Sequence, residues 1–447
     1  MSGSVANNPY RASGVVAAAA GGGAVEWQTG SIKTAEFTAV AGEGYFANTT
    51  SGAFAMLLPA ATVGDIIGVS DYASTFNSNN LTITPNGTDK INAVNAPYTV
   101  STQGLTVTMV YVDSTRGWKS VMGSDADATG VESFIVATGG SPCTGAIVGD
   151  FKTHTFTGPG TFAVASLATC SANDVVDYLV VGGGGGGGGY GGGSAGAGGF
   201  RLSNAVGCIP APTTSPLTNP TGITVEATPY AIAAGGGGAG YGPGYGCGGQ
   251  GEDSSFSTIT SAGGGKGVGG NQVGTDGGSG GGGRGSPGPP ACAAGFAGGV
   301  SAPVTDPIQG KAGGVGLDGT AISTNGGGGG GAGADGANAA VRTGGAGGVG
   351  SFASPVLAVG CAGTPGPTPS VRYFAGGGGG GTDNQNIGGG TPGAGGAGGG
   401  GAGGAGPGSN GVAGGTNTGG GGGGGGGNPT ISGAGGSGIV ILRYKFQ

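Results

Sequence analysis

Residues that carry out acid–base or nucleophilic catalysis are scarce in this sequence. The chain has one histidine, His154, and 21 Asp and Glu residues among 447 positions. Catalysis needs several titratable groups that converge on one point. Neither a Ser-His-Asp nor a Cys-His arrangement can be argued around His154, which we expect to be a packed or surface residue. The carboxylates Glu252 and Asp253 could exchange protons with a substrate, but neighbouring charges in a polar loop are usually solvated. We therefore predict that the protein is not an enzyme.

Metal, cofactor and nucleotide sites also lack their characteristic spacing. The cysteines form no C-x-x-C pair, and together with the single histidine they do not match the spacing of zinc ligands. Asp306, Asp318 and Asp335 are scattered without the spacing of a calcium-binding loop. Lys266 follows three glycines, but the next residue is glycine rather than the Ser or Thr of a phosphate-binding loop. No metal, cofactor or nucleotide is expected.

The six cysteines have two interpretations. They are either buried small hydrophobic residues, or they form disulfides after the protein leaves the producing cell. An even count permits disulfides but leaves their pairing open. The residues are Cys143, Cys170, Cys208, Cys247, Cys292 and Cys361.

The charge distribution argues against nucleic-acid and membrane partners. The formal net charge is −7, and the 14 Lys and Arg residues are not clustered, whereas nucleic acid attracts strongly basic faces. No apolar run approaches the roughly 20 residues of a membrane helix, and residues 1–5 do not begin a secretory signal. We expect synthesis in a cytoplasm and no membrane insertion.

Residues 31–122 are predicted to form an all-β module. Short alternating or apolar runs recur between turn residues, and Asn86-Gly87 is the strongest turn signal. This pattern favours a small β-sandwich or a jelly-roll-like fold. Residues 1–30 are interpreted as a lead, in which Trp27 either docks onto a partner or packs onto the module, and residues 123–142 as a linker. The predicted strands are Thr34–Val40, Gly44–Asn48, Phe54–Leu58, Ile66–Ser70, Leu81–Thr84, Tyr98–Ser101, Thr106–Val112 and Trp118–Met122.

Glycine content divides the sequence near Val181. Residues 1–181 contain 22 of the 124 glycines, and residues 182–447 contain 102. Only 8% of the residues are charged and 36% are hydrophobic, which is the opposite of most disordered chains. An α-helix is excluded because each glycine costs roughly 1 kcal/mol there, and collagen is excluded because glycine does not keep a three-residue phase. We therefore expect packed polyglycine-II-type helices, extended and three-fold, whose backbone groups bond to neighbouring helices.

β-Strands are expected to frame these glycine runs within one domain, residues 143–447. His154–Thr157 and Thr161–Val164 flank a Gly-Pro-Gly turn and predict a hairpin. Val175–Val181 is apolar on both faces, so it should be a buried strand. The apolar ending Ile439–Tyr444 needs a partner, and Val175–Val181 is the candidate that would close the domain.

These segments resemble the glycine-rich domain of bacteriophage tail-fibre and adhesin proteins, which is frequent in marine phages. The resemblance covers residues 143–447 and is carried by the segments His154–Phe162, Val176–Gly189, Gly199–Arg201 and Gly436–Tyr444. Residues 40–122 are similar to a module of cyanophage and other marine phage structural proteins. The similar segments there are Gly44–Gly52, Leu58–Ala60, Gly64–Ile66 and Val110–Ser114.

The resemblance implies a virion structural protein displayed on the particle exterior. In related adhesins, glycine-rich helices stack in a sandwich, and the loops between them contact host receptors. It implies attachment to other virion proteins through the N-terminus, with Trp27 as the candidate anchor. It also implies a host surface carbohydrate or outer-membrane protein as partner, and a homotrimer because phage fibres are commonly trimers. This sequence departs from the family in lacking a long coiled-coil or β-helical shaft.

Two functions remain open. The first is a receptor-binding tail fibre or adhesin with aromatic contacts in the loops between glycine runs, since such rings suit carbohydrate or protein surfaces. The alternative for each ring is that it covers the glycine helices. The second function is an architectural capsid fibre, decoration or tail-knob protein without receptor binding. The candidate contact residues are Tyr190, Phe200, Tyr241, Tyr245, Phe296, Tyr373 and Phe374.

Overall fold

A computed structural model describes residues 25–122, 134–206, 215–270, 272–285, 295–318, 323–353, 357, 359–384 and 390–446. The chain divides into two compact units, Met1–Glu132 and Ser133–Gln447. The fold is essentially all-β, as expected, and the described residues include no helix with the length and apolar character of a membrane span. Most of the predicted lead and linker, together with Cys208 and Cys292, lies outside the described residues.

The first unit contains two sheets that share one hydrophobic core. One sheet has the order β1-β3-β5-β8-β9 and the other β2-β4-β6-β7. Its largest fully buried side chain is Trp118, and Met56 and Ile67 bring the two sheets into the same core. The strands are β1 (Glu26–Trp27), β2 (Phe37–Thr38), β3 (Glu43–Ala47), β4 (Phe54–Leu57), β5 (Ile66–Asp71), β6 (Leu81–Thr84), β7 (Tyr98–Val100), β8 (Thr106–Asp113) and β9 (Gly117–Met122).

The strand order of this unit differs from a jelly roll. From β1 to β6 the chain alternates between the two sheets, and each of these strands runs parallel to its neighbour in its own sheet. A jelly roll is built from antiparallel strands; among the described strands of this unit the antiparallel pairs are β5–β8, β6–β7 and β8–β9. The first six strands therefore form the parallel part of both sheets. The strands β7, β8 and β9 complete the sheets through antiparallel pairing.

Trp27 belongs to this unit rather than to a separate lead. Its strand β1 pairs with β3, and its ring lies 5.2 Å from the Phe46 ring. A Cβ at Gly44 would lie 2.7 Å from Trp27 Cδ2, and one at Gly68 would lie 3.3 Å from the same indole. The indole is thus half-buried over two glycines, and the predicted boundary at residue 30 is too late.

The second unit contains two large sheets and two small ones. The third sheet of the chain has the order β10-β13-β18-β19-β20, and the fourth has the order β11-β12-β26-β14-β15-β16 with β17 on β14. Phe162 and Phe256 of the third sheet share a core with Tyr178 and Tyr444 of the fourth. The strands are β10 (Val136–Thr138), β11 (Ser141–Val148), β12 (Phe151–Phe156), β13 (Gly160–Ser166), β14 (Val175–Val181), β15 (Phe200–Ser203), β16 (Thr218–Asn219), β17 (Ile223–Thr224), β18 (Pro229–Ala233), β19 (Ser254–Phe256), β20 (Ile259–Ser261), β21 (Leu317–Asp318), β22 (Ser323–Asn325), β23 (Ser351–Ala353), β24 (Arg372–Phe374), β25 (Thr382–Asn384) and β26 (Ile439–Lys445).

The predicted hairpin around the Gly-Pro-Gly turn is wrong. β12 pairs with β11 and β26, whereas β13 pairs with β10 and β18. The turn therefore carries the chain from one sheet to another that shares its core, so that Phe156 and Phe162 meet in that core from different sheets. Strand β10 and the start of β11 also lie inside the predicted linker, so residues 134–142 belong to the second unit.

The predicted pairing of the terminal strand is confirmed. β26 lies between β12 and β14, and its register with β14 runs from Val181↔Ile439 to Val176↔Tyr444. Within this pair, Arg443 Nη2 lies 2.8 Å from Asp177 Oδ2, and both side chains are fully buried. Asp177 also accepts hydrogen bonds from Ser203 and from backbone N–H groups. The last strand of the chain is thus central to the sheet.

The run Gly182–Gly189, which follows β14 directly, bonds to its surroundings with a three-residue period. The N–H groups of residues 182, 185 and 188 donate to carbonyls of residues 199, 196 and 193, and those of 183, 186 and 189 donate to 252, 249 and 246. Residues 184 and 187 donate to 436 and 433. Carbonyls of the run accept from three further segments, through the N–H groups of Gly238, Gly264 and Gly422 among others. Six neighbouring segments thus surround the run, and Gly326–Gly331 and Gly376–Gly381 repeat the donor pattern.

Close approach of backbones explains why these positions are glycine. A Cβ at Gly186 would lie 2.5 Å from the carbonyl carbon of Ala239 and closer still to its oxygen. The same overlap with backbone recurs along the runs, so a side chain would separate the segments and break the hydrogen bonds between them. The glycines are therefore interior packing residues.

The glycine runs give the second unit two ends. The sheet end lies where the runs meet the large sheets, at Val181 and Phe200. The loop end lies at the other end of the same runs, at Tyr190. Strands β21, β22 and β25 form a small sheet at the loop end.

Candidate functional site

The loop end brings together turns that are far apart in the sequence. Gly188 donates its N–H to Gly193, so the chain reverses direction around Tyr190. Arg284, which follows the glycines 280–283, donates from Nε to the Tyr190 carbonyl at 3.0 Å. In the small sheet, β22 pairs with β25 and places Thr324 opposite Asp383. We call Tyr190, Tyr245, Arg284, Thr324 and Asp383 the loop-end cluster.

The cluster is held by two closely packed, tilted rings and a buried cation. The Tyr190 and Tyr245 ring centroids are 4.1 Å apart. The Arg284 guanidinium carbon lies 5.8 Å from the centroid of Tyr190 and 5.3 Å from that of Tyr245. Arg284 and Asp383 are 1% and 4% exposed. Cation–π attraction is stronger for a buried guanidinium beside two rings than for an exposed one, so the cluster is a rigid support.

Burial also changes the titration of the cluster. It raises the pKa of the Tyr190 hydroxyl, and hydrogen bonds to Tyr245 and Asp383 act in the same direction. Burial raises the pKa of the Asp383 carboxyl as well, although the charge of Arg284 and the bond from Tyr190 offset part of the rise. Tyr190 therefore stays a neutral hydrogen-bonding group near neutral pH.

The structure sorts the seven candidate aromatic residues by end and by exposure. Phe200, Tyr373 and Phe374 are buried at the sheet end, at 1%, 5% and 0% exposure, so they cannot contact a host and the assignment is corrected for them. At the loop end, Tyr190 is also buried, at 9%. The residues with accessible rings are Tyr245, which is 58% exposed, and the half-buried Tyr241 and Phe296.

Arg284 and Asp383 were not expected from the sequence. Each stands just after a glycine run, as Tyr190 does: Arg284 after residues 280–283, and Asp383 two residues after Gly376–Gly381. Because these three runs end at the loop end, a charged or aromatic residue within two positions of the end of a run is a usable signal. Which of these residues lie close together in the folded protein depends on how the glycine runs pack.

His154 is a packed residue of β12. Its Nδ1 lies 2.7 Å from the Gly139 carbonyl and its Nε2 lies 3.2 Å from the Tyr444 hydroxyl. A carbonyl can only accept, so Nδ1 carries the proton and Nε2 accepts from Tyr444. Burial lowers the pKa of the imidazole, and the bond to Gly139 offsets part of this. The neutral ring therefore ties the turn after β10 to the sheet.

Glu252 and Asp253 bind backbone groups of the glycine runs. Both are exposed, yet Glu252 Oε2 accepts the Gly236 N–H at 2.9 Å and Asp253 Oδ1 accepts the Gly263 N–H at 2.8 Å. The two carboxylates thus hold different segments. They do not converge on a common point as an acid–base pair must.

The described cysteines do not match the interpretation as buried hydrophobic residues. Cys143, Cys170 and Cys361 are exposed, Cys247 is half-buried, and all four are free thiols. Within the described part of the chain no group of three His, Cys, Asp or Glu residues is placed to hold a metal ion.

A family model described as a glycine-rich domain matches residues 155–445. The match spans nearly two thirds of the chain and runs from β12 to β26, the two strands that are paired in the fourth sheet. The chain belongs to this glycine-rich domain family. The family region therefore coincides with the body that carries the loop-end cluster. No curated protein matches the chain.

Proposed function

We propose that the protein is a non-enzymatic virion structural protein, a tail fibre or adhesin that contacts the host cell surface. The observation that supports this most is the loop end. Turns from at least five distant segments meet there on a body tied together by backbone hydrogen bonds. Binding residues are commonly carried on loops that a rigid scaffold positions.

The scaffold suits this role because its loops can vary without disturbing the interior. We infer that the glycine runs are polyglycine-II-type helices. This inference rests on the three-residue bonding period and the six neighbours of Gly182–Gly189. An experimental structure with φ and ψ near −75° and +145° in these runs would bear it out. The partners proposed are a host surface carbohydrate or outer-membrane protein at the loop end and other virion proteins at the N-terminal side, in a homotrimer.

Purified protein tests the proposal directly. Labelled full-length chain should bind cells of a permissive host, and excess unlabelled chain should reduce adsorption of the virus. Imaging of the particle should place the protein at the tail. A capsid location together with no cell binding would replace the proposal with an architectural role.

A further inference from the structure

Tyr245 is the most exposed aromatic ring at the loop end, and it stands on a built support. The residue is 58% exposed, while the Tyr190 ring centroid lies 4.1 Å and the Arg284 guanidinium carbon 5.3 Å from the centroid of its ring. An isolated exposed tyrosine would lose side-chain entropy on binding. Here Arg284 and Tyr190 are already buried against the ring, so its orientation is fixed before any ligand arrives.

The chain neighbours of the ring are glycines and one proline, and the Tyr241 ring packs over Gly246 beside it. Tyr245 lies in the sequence Gly242-Pro243-Gly244-Tyr245-Gly246, so its nearest chain neighbours present peptide groups and one exposed proline. Protein hot spots are usually ringed by further apolar contacts that exclude water. Tyrosine rings set among peptide groups instead fit a ligand with a flat nonpolar face and a rim of hydroxyl groups.

Charge favours the same ligand class. The cluster charges Arg284 and Asp383 are buried, Arg342 is an exposed charge on the turn beside β22, and the chain as a whole is only 8% charged. A polyanionic or polycationic partner would call for exposed charges of the opposite sign. Uncharged hydroxyl groups need only hydrogen-bond partners, which peptide groups provide.

We propose that Tyr245 is a stacking platform for a pyranose ring of a host surface polysaccharide, held by Tyr190 and Arg284. This rests on the proposed adhesin function and specifies its ligand class. The C–H face of the sugar covers the phenol ring, and the sugar hydroxyls reach the peptide groups of residues 242–246.

The test compares full-length wild type, Tyr245→Ala, Tyr245→Phe and Tyr72→Ala for binding to intact host cells and to polysaccharide extracted from them. Tyr72 is the matched control, because it is an exposed tyrosine, at 54%, in the other unit. Tyr245→Ala should weaken polysaccharide binding at least tenfold. Tyr245→Phe, which keeps the ring, should stay within threefold, and Tyr72→Ala should match wild type. Thermal unfolding of each variant identifies any loss that is due to misfolding.

Two outcomes overturn the platform while the adhesin function stands. One is cell binding that survives periodate oxidation of surface sugars and is lost after protease treatment, since the partner is then a protein. The other is sugar-dependent binding that Tyr245→Ala leaves unchanged. Wild-type chain that binds no host cells contradicts the adhesin function itself.

Discussion

At the scale of single residues, the second unit uses a few buried polar groups as fixed connections. His154 joins Gly139 to Tyr444, Asp177 pairs with Arg443, and Arg284 supports Tyr190 and Tyr245. Each has partners that repay part of its desolvation. These groups therefore stabilise the second unit and hold its neighbouring segments in place.

The protonation of His154 should destabilise the second unit. Burial lowers the pKa of the folded imidazole below its ordinary value of 6.5. As pH falls through 6.5, the unfolded chain takes up a proton that the folded chain refuses, so the free energy of unfolding falls until the folded pKa is reached. Because His154 is the one histidine, its NMR shifts report this pKa directly.

The matched variant is His154→Gln, which cannot titrate. Between pH 6.5 and the folded pKa of His154, the free energy of unfolding of its second unit should not fall through protonation of residue 154. An imidazole that titrates at or above 6.5 would contradict the burial argument.

At the scale of elements, backbone packing makes the glycine runs sensitive to a single methyl group. Gly186→Ala places a Cβ against the Ala239 carbonyl and should cost about 1–3 kcal/mol or more. Gly242→Ala is the control, because nothing lies within 4 Å of a Cβ there. Chemical denaturation measures both. Equal stability of the two variants would show that the runs are loose.

The terminal strand β26 is predicted to be required for folding of the second unit. Residues Ile439–Tyr444 are buried and pair on both sides, with β12 and β14. Deleting residues 439–447 should abolish the cooperative transition of this unit, and the milder Ile441→Ala should cost about 2–5 kcal/mol. Circular dichroism and calorimetry report both changes. A deleted chain whose second unit still unfolds cooperatively would contradict the prediction.

Much of this element-level organisation could be predicted from sequence. The strands of residues 37–122 were predicted to within a few residues, because alternating apolar residues are bounded by turns. The pairing of β14 with β26 followed from two segments that are apolar on both faces. Sheet membership could not be predicted in the same way. A Gly-Pro-Gly turn has the same local pattern whether the chain stays in one sheet or crosses to another, as it does between β12 and β13.

The candidate site was less accessible to sequence reasoning. Seven aromatic residues qualified, but exposure separates Tyr245 from the buried Phe374 only after the runs are packed. The convergence of Arg284 and Asp383 on Tyr190 likewise depends on which runs are neighbours. Local patterns do not encode neighbour choice among nearly identical glycine runs.

At the scale of the whole molecule, the chain combines two units whose interiors differ in kind. The first has a side-chain core around Trp118, and the second adds an interior made of peptide groups. Apolar burial gives a large heat-capacity change on unfolding, whereas exposure of peptide groups lowers it. The second unit should therefore show the smaller heat-capacity change per residue.

The two units should unfold in separate transitions with different responses to acid. In the first unit, burial alone would raise the pKa of Asp71, but N–H bonds from Gly104, Phe76, Thr75 and Ala73 lower it overall. A lowered carboxyl pKa stabilises the fold above the unfolded value of 3.8, and this stabilisation is lost as pH falls through the folded pKa. The first transition should thus weaken below about pH 4, and the second already below about pH 6.5, where the imidazole of the unfolded chain takes up a proton. Calorimetry of Asp71→Asn should flatten the acid response of the first transition alone, and His154→Gln that of the second alone. A single transition that both substitutions alter would mean that the two units unfold together.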